Sequence, residues 1–341
     1  MTVSPPSLRR TLRFARSLLR AMMPRSTRRC ATGRLATPVG TALATPGALA
    51  VPLFLALTMS ASPTLAGPRI ASLDWTLAET LIALGAPPVA LAQTGDYASW
   101  VGHPAPESVI DMGLRSQPNL ELLASLAPDH IVISPMFANL APRLSAIAPV
   151  QTFSMYTPGE AVWPELESLT RKLGELSQRQ AAAERLIEEA GNDIDALAAR
   201  LPTATRPLLV VQFMDARHVR VFGANSLFDA VMSRLGLDNA WQQPTNAWGF
   251  SLAGLERLVS LDEARLVVVE PYPAGVAEAL TTSGLWQHIG SVERGDVVTL
   301  PPVWSFGSLP SATRFAGFLA TALSTDSAPA QVTTETDHDS H

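Results

Sequence analysis

The chain has 341 residues, 47 % of them apolar, enough for two hydrophobic cores and too apolar for a disordered chain. Its 25 basic and 30 acidic side chains are unevenly placed. Nine arginines lie between Arg9 and Arg34 with no acid among them, so the remainder carries 16 basic against 30 acidic groups, a balance that excludes a nucleic-acid partner.

The arginine-rich stretch is followed by a largely apolar one from Val39 to Met59, then by small residues ending at Thr64-Leu65-Ala66. Basic, apolar and small residues in that order predict a cleavable export signal over residues 1–66. Ser26-Thr27-Arg28-Arg29 resembles a twin-arginine signal, although Cys30-Ala31-Thr32 follows in place of apolar residues. The general secretory route and an uncleaved anchor are the alternatives. Cys30 is the only cysteine, so the mature chain is expected to have neither disulfides nor thiol chemistry. No later segment is apolar and long enough to span a bilayer.

A first α/β lobe is expected over 67–157. Ile70 to Leu73 reads as a strand, and Thr76 with Glu79 reads as a capping box opening a helix that Gly85 stops. Pro88 to Ala92 is the next strand candidate. Asn119 caps a helix through Leu126, His130 to Ser134 is a buried strand, and a helix follows near Ala141 to Ile147. Strands alternating with helices predict a mostly parallel sheet.

Residues 158–200 read as one long connecting helix, with Thr157 as cap, Pro158 at the first helical position and Glu160 closing a box. Leu166, Leu169, Leu173 and Leu176, then Leu186, Ile187, Ala190, Ile194 and Leu197, form its apolar stripe. Gly174 and Gly191 weaken it, and two helices separated near Ser177 is the competing arrangement.

A second α/β lobe is expected over 201–323. Leu208 to Phe213 is a strand, and Val219 to Phe222 is its hairpin partner or the next strand. Asn225 or Ser226 caps a helix ended by Gly236. Arg265 to Glu270 and Val297 to Leu300 are later strands. The Thr-, Ser- and Asp-rich residues 324–341 read as a disordered tail, in which His338 and His341 beside Asp337 and Asp339 are at most weak metal ligands.

No phosphate-binding loop, dinucleotide fingerprint, zinc-protease helix or nucleophile elbow is present, and Lys172 is the only lysine. His103, His130, His218 and His288 lack ligand spacing. The expectation is therefore a protein without catalytic residues, intrinsic cofactor or metal site. Aromatic residues stand out instead. Trp100, Trp248, Trp304 and Phe306 fall in predicted loops, where a tryptophan not needed for a core fills a site or an interface. Trp163, Trp241 and Trp286 read as core. Trp75 lies just past the first strand, the exit where α/β ligand sites form. Arg115, in the turn Asp111 to Asn119, projects from a rigid base, but spacing alone does not separate a ligand-facing arginine from a solvated one.

The segments “VIDMGLRSQPNLELLASLAPDHIV”, “DARHVRVFGANSLFDAVMSRLGLDNAWQQPTNAWG” and “PPVWSFGSL” together resemble the periplasmic iron-siderophore binding proteins of ABC importers, of the ferric hydroxamate type, over about Pro68 to Ala322. The resemblance implies two Rossmann-like α/β lobes joined by a single long helix, with little hinge motion and an aromatic cleft between them. It implies a ferric siderophore as ligand, with iron held by the siderophore, and a permease as partner of a monomeric protein. Arg115 matches the arginine that contacts hydroxamate oxygens, and Trp100, Trp248 and Trp304 match cleft aromatics. Phe137 and Phe306 stand where that family has tyrosines, which makes this pocket more apolar. Glu256 matches the second lobe's permease-docking glutamate. The first lobe's equivalent, Leu140-Ala141-Pro142-Arg143, has no acid, and Glu79 and Glu121 are the nearest ones. Rivals are a binder of cobalamin or another iron chelate, and a non-transport interaction protein. A carboxylate siderophore would call for several cleft arginines, where the sequence offers one clear candidate.

Overall fold

A computed structural model describes residues 67–157, 159–202 and 205–325. The predicted export signal with Cys30, the Pro158 position and the tail from 326 onward lie outside the described residues.

The first lobe opens with β1 (Ile70–Ser72), α1 (Trp75–Ala83), β2 (Ala90–Leu91), α2 (Thr94–Val101) and β3 (Ile110–Asp111). A hairpin of β4 (Gly113–Leu114) and β5 (Gln117–Pro118) leads into α3 (Leu120–Ser125), then β6 (His130–Ile133), α4 (Ala141–Leu144) and β7 (Val150–Thr152). The sheet runs β3-β2-β1-β6-β7, all parallel. Successive strands run outward from β1 on one side and from β6 on the other, so the topological switch lies between β1 and β6. Ligand sites in α/β sheets form beyond the strand ends at such a point.

The cap of α1 differs from the expected box. Asp74, not Thr76, is the N-cap, accepting from the backbone N–H of Thr76 at 2.9 Å and of Leu77 at 3.3 Å. A carboxylate there meets the positive end of the helix more strongly than a hydroxyl. Glu79 is thereby freed from capping. It is 1 % exposed, accepts from Ser311 Oγ at 2.6 Å and pairs with Arg314 at 3.0 Å.

The connector is helical but is two helices, α5 (Val162–Leu176) and α6 (Gln180–Ala198), rather than one. Arg171 and Glu184 meet at 3.0 Å, whereas thirteen residues of straight helix would span about 20 Å. The break is a Schellman motif: Arg179 N–H donates to Gly174 O and Gln178 N–H to Glu175 O, with Gln178 at φ 57°. A Cβ on Gly174 would stand 2.6 Å from that of Ala183, so glycine lets the two helices meet. The expected opening of this segment also differs. Ala161 is the N-cap residue of α5, without a side-chain cap, and Glu165 rather than Glu160 reaches back, accepting from Thr157 N–H at 2.9 Å.

The second lobe contains β8 (Leu208–Phe213), β9 (His218–Phe222), α7 (Leu227–Arg234), β10 (Phe250–Gly254), β11 (Arg265–Val269), α8 (Val276–Thr281), α9 (Gly284–Gln287), α10 (Gly290–Glu293) and β12 (Val297–Leu300). The final helix, α11 (Leu309–Thr325), takes in the first two residues assigned to the tail. The sheet order is β10-β9-β8-β11-β12, in which β9 is the antiparallel hairpin partner of β8 and β11 and β12 run parallel to it. Ser226 caps α7 by accepting from Asp229 N–H at 3.0 Å.

One apolar core runs through both lobes. Leu77 and Leu81 of α1, Leu166 and Leu173 of α5, Ile194 of α6, Phe228 of α7 and Phe315 of α11 are all buried in it. The helices between the sheets thus form a packed wedge, and any change in lobe angle must shift buried side chains.

Candidate functional site

The loops beyond β1 and β6 in the first lobe face β9, the segment before β10 and the loop beyond β12 in the second. Between them lies a cleft of about 320 Å³, within the range of small-molecule sites. Trp75, Trp100, Arg115, Trp248, Trp304 and Phe306 all line it. Trp100 does so from α2 rather than from a loop, because the buried Tyr97 anchors that helix.

Arg115 reaches the cleft from the β4–β5 turn. Its Nε donates to Leu73 O at 3.3 Å, and its guanidinium carbon lies 4.3 Å from the Trp75 ring centre and 4.9 Å from that of Phe137. Its side chain is 14 % exposed, and Asp74 Oδ2 stands 3.8 Å from Nη2. Burial lowers its pKa and Asp74 raises it, but an arginine stays charged in this setting. The outcome is a planar cation held by one hydrogen bond and two rings in the lining of the cleft. Phe137 backs the arginine and is 6 % exposed, so it bears on the site through Arg115 rather than as cleft wall.

The aromatic wall is tied across the two lobes. Trp304 Nε1 donates to Thr76 Oγ at 2.9 Å, and the same hydroxyl donates to Phe306 O at 2.7 Å. Trp75 Nε1 donates to Ala92 O at 2.9 Å. Trp75 and Trp304 pack edge to face at 5.0 Å, and Trp248 meets Phe306 likewise at 5.5 Å. Tyr156 adopts φ 59°, a left-handed conformation costing a non-glycine residue about 1 kcal/mol. Its hydroxyl donates to Gly307 O at 2.5 Å, which holds it there, and burial with Glu79, Asp74 and Glu165 pushes the phenol pKa well up.

Several site residues escaped sequence reasoning. Asp74, Thr76, Gln93, Met136, Met155 and Arg220 also line the cleft. Arg220 corrects the expectation of one cleft arginine. On β9, Val219 and Val221 are buried, so strand alternation puts Arg220 on the other face. That signal was present, but nothing in the local sequence says which face of β9 looks into the cleft.

Glu256 lies outside the cleft, exposed in the short 3₁₀ turn Leu255–Arg257 of the second lobe. Glu79 is withdrawn as a docking candidate by its burial against Arg314, while Glu121 is exposed on α3. Among the described residues, no group of three or more His, Cys, Asp or Glu is placed to hold a metal ion, and no helix is long and apolar enough to cross a membrane. Two of the histidines have local partners: His218 meets Asp215 at 2.9 Å and His288 Nδ1 lies 2.7 Å from Gly284 O.

Residues 70–303 match the family model described as periplasmic binding protein. The chain is 35 % identical over 257 residues to the iron(3+)-hydroxamate-binding protein FhuD of Escherichia coli, covering 75 % of this chain and 86 % of that one. It is 26 % identical over 254 residues to the Fe(3+)-citrate-binding protein YfmC of Bacillus subtilis, covering 70 % and 74 %. The crystal structure of FhuD from Vibrio cholerae bound to Fe3+–Desferal superposes with a TM-score of 0.71 at 28 % identity, covering 75 % of this chain and 98 % of that one. The two lobes, the cleft at the strand ends and these likenesses agree: the chain belongs to the periplasmic binding proteins, as a non-catalytic, siderophore-binding component of an ABC importer.

Proposed function

We propose that the cleft captures a ferric hydroxamate chelate, in which the siderophore supplies every iron ligand, and that the protein delivers it as a monomer to its permease. The observation that carries this is Arg115, held among Leu73 O, Trp75 and Phe137 in the lining of an aromatic cleft. Hydroxamate oxygens on ferric iron are electron-rich acceptors, and charge-assisted hydrogen bonds to them strengthen in a partly dry cleft. Trp75, Trp100, Trp248, Trp304 and Phe306 would cover the apolar parts of the chelate, and Phe137 would hold the arginine in place. Identity with the Escherichia coli hydroxamate binder, higher than with the citrate binder of Bacillus subtilis, supports the same ligand class. Glu256 would meet the permease from the second lobe, and residues 1–66 would direct export to the periplasm.

Calorimetric titration of the purified protein with ferrichrome, ferric desferrioxamine, ferric dicitrate, a ferric tricatecholate and cobalamin tests this. Tight binding of a hydroxamate complex is expected. Binding confined to cobalamin or the tricatecholate would overturn the hydroxamate assignment and leave the family intact.

A further inference from the structure

The charges lining the cleft do not balance. Among the described residues, Asp74, Arg115 and Arg220 are the only charged ones in its lining, and Asp74 stands 3.8 Å from Arg115. That pair is close to neutral as seen by a ligand, which leaves Arg220. Its guanidinium lies 5.3 Å from the Phe250 ring centre and 5.6 Å from that of Phe306. Among the described residues, its one side-chain hydrogen bond, from Nη1, goes to the neutral Gln212 Oε1 at 3.4 Å. Gln212 is itself fully buried and oriented by Ser305 Oγ, which donates to the same oxygen at 3.0 Å. Arg220 makes no ion pair among the described residues. Burial alone lowers its pKa, with no carboxylate opposing the shift as Asp74 does for Arg115. Holding a cation in a partly desolvated wall without a counter-charge costs free energy, which a carboxylate arriving on the ligand offsets. The planar fork also matches a carboxylate's two oxygens.

We infer that the cleft is built for a ferric chelate of net negative charge, and that Arg220 selects it by pairing with a carboxylate the chelate carries. This rests on the siderophore reading and narrows it. A chelator combining hydroxamate with citrate-type carboxylate groups has both features: hydroxamate oxygens for Arg115 and a carboxylate for Arg220. A neutral trihydroxamate has only the first. The two arginines approach from opposite lobes, so such a ligand would be gripped on two sides.

Three probes test the inference by calorimetric titration on the mature protein: the ferric complex of aerobactin, a citrate-hydroxamate; ferric N-acetyl-desferrioxamine B, a neutral trihydroxamate; and ferric dicitrate. Folding of each variant is checked by circular dichroism. The parent is expected to prefer ferric aerobactin to the neutral chelate. Arg220→Gln should weaken ferric aerobactin at least tenfold more than the neutral complex, and that tenfold corresponds to about 1.4 kcal/mol. Arg220→Lys, which keeps the charge, should retain part of the preference. Added salt should weaken ferric aerobactin more than the neutral chelate. Equal losses for both hydroxamate probes, or a lysine variant no better than glutamine, would overturn the inference while leaving the hydroxamate assignment standing. If the parent takes only ferric dicitrate and Arg220→Gln abolishes that binding, the hydroxamate assignment falls and the role of Arg220 is supported. Binding of none of the three overturns both.

Discussion

Replacing Arg115 with alanine isolates the hydrogen bonds assigned to the site. The guanidinium is positioned before any ligand arrives by Leu73 O and two rings. Little side-chain entropy is therefore left to lose on binding, and the bond contributes close to its full value. A charge-assisted hydrogen bond is worth about 1.5–3 kcal/mol, which predicts an affinity loss of roughly tenfold to 150-fold for a ferric hydroxamate. The fold should survive. Asp74 loses its ion-pair partner at 3.8 Å but keeps its bonds to the Thr76 and Leu77 amides, so its charge stays hydrogen-bonded at the α1 N-terminus. What disappears from the folded state is mainly contact with the two rings, about 0.5–2 kcal/mol. Arg115→Lys should recover only part of the affinity, since a point charge does not reproduce the planar fork. Isothermal titration, paired with a thermal melt of each variant, measures both quantities. A folded Arg115→Ala variant that binds every ferric hydroxamate as tightly as the parent would refute the reasoning.

Thr76→Val removes the hydroxyl that receives Trp304 Nε1 and donates to Phe306 O, at nearly constant volume. It should cost about 1–3 kcal/mol of stability and loosen Trp304, read as a shifted tryptophan emission and weaker ligand binding, with Thr76→Ser restoring both. Glu79→Ala leaves Arg314 without its carboxylate in the α1–α11 contact and should cost about 3 kcal/mol in denaturant unfolding; a neutral result would show that the pair contributes little. Gln178→Gly removes the left-handed strain at the α5–α6 break and should stabilise by about 0.5–1 kcal/mol, whereas a loss would mean that the break is not under backbone strain. Solution scattering with and without ligand should differ little, because the core is continuous through α1, α5, α6 and α11. Compaction on the scale of a closing clamshell would contradict that.

Much of the architecture could be read from residue order, because it depends on local patterns. The strand at Leu208–Phe213, the cap at Asn119, a cap at Asn225 or Ser226 and the alternation of strands with helices each need only neighbours a few residues apart. The break in the connector was harder to see. Its left-handed residue is Gln178 rather than glycine, so the usual marker of a helix end is missing. The cap at α1 was misplaced because Asp74 and Thr76 are both good capping residues, and only the end of β1 at Ser72 decides between them.

The candidate site divides the same way. Aromatic residues in turn-rich segments, and an arginine on a rigid turn, marked Trp100, Arg115, Trp248, Trp304 and Phe306 from sequence and family resemblance. Tertiary structure alone decided what those residues meet. Thr76 and Trp304 are 228 positions apart, and Gln212 and Ser305 are 93 apart, yet each pair shares a hydrogen bond. The placing of Arg220 opposite Arg115 follows from the pairing of β9 with β8 and the packing of one lobe against the other. Sequence alone determined the kind of chemistry available, because residue types and local spacing set donors, rings and caps. The charge balance of the cleft was decided only in three dimensions, because electrostatic energy depends on distances between side chains that the chain brings together from far apart.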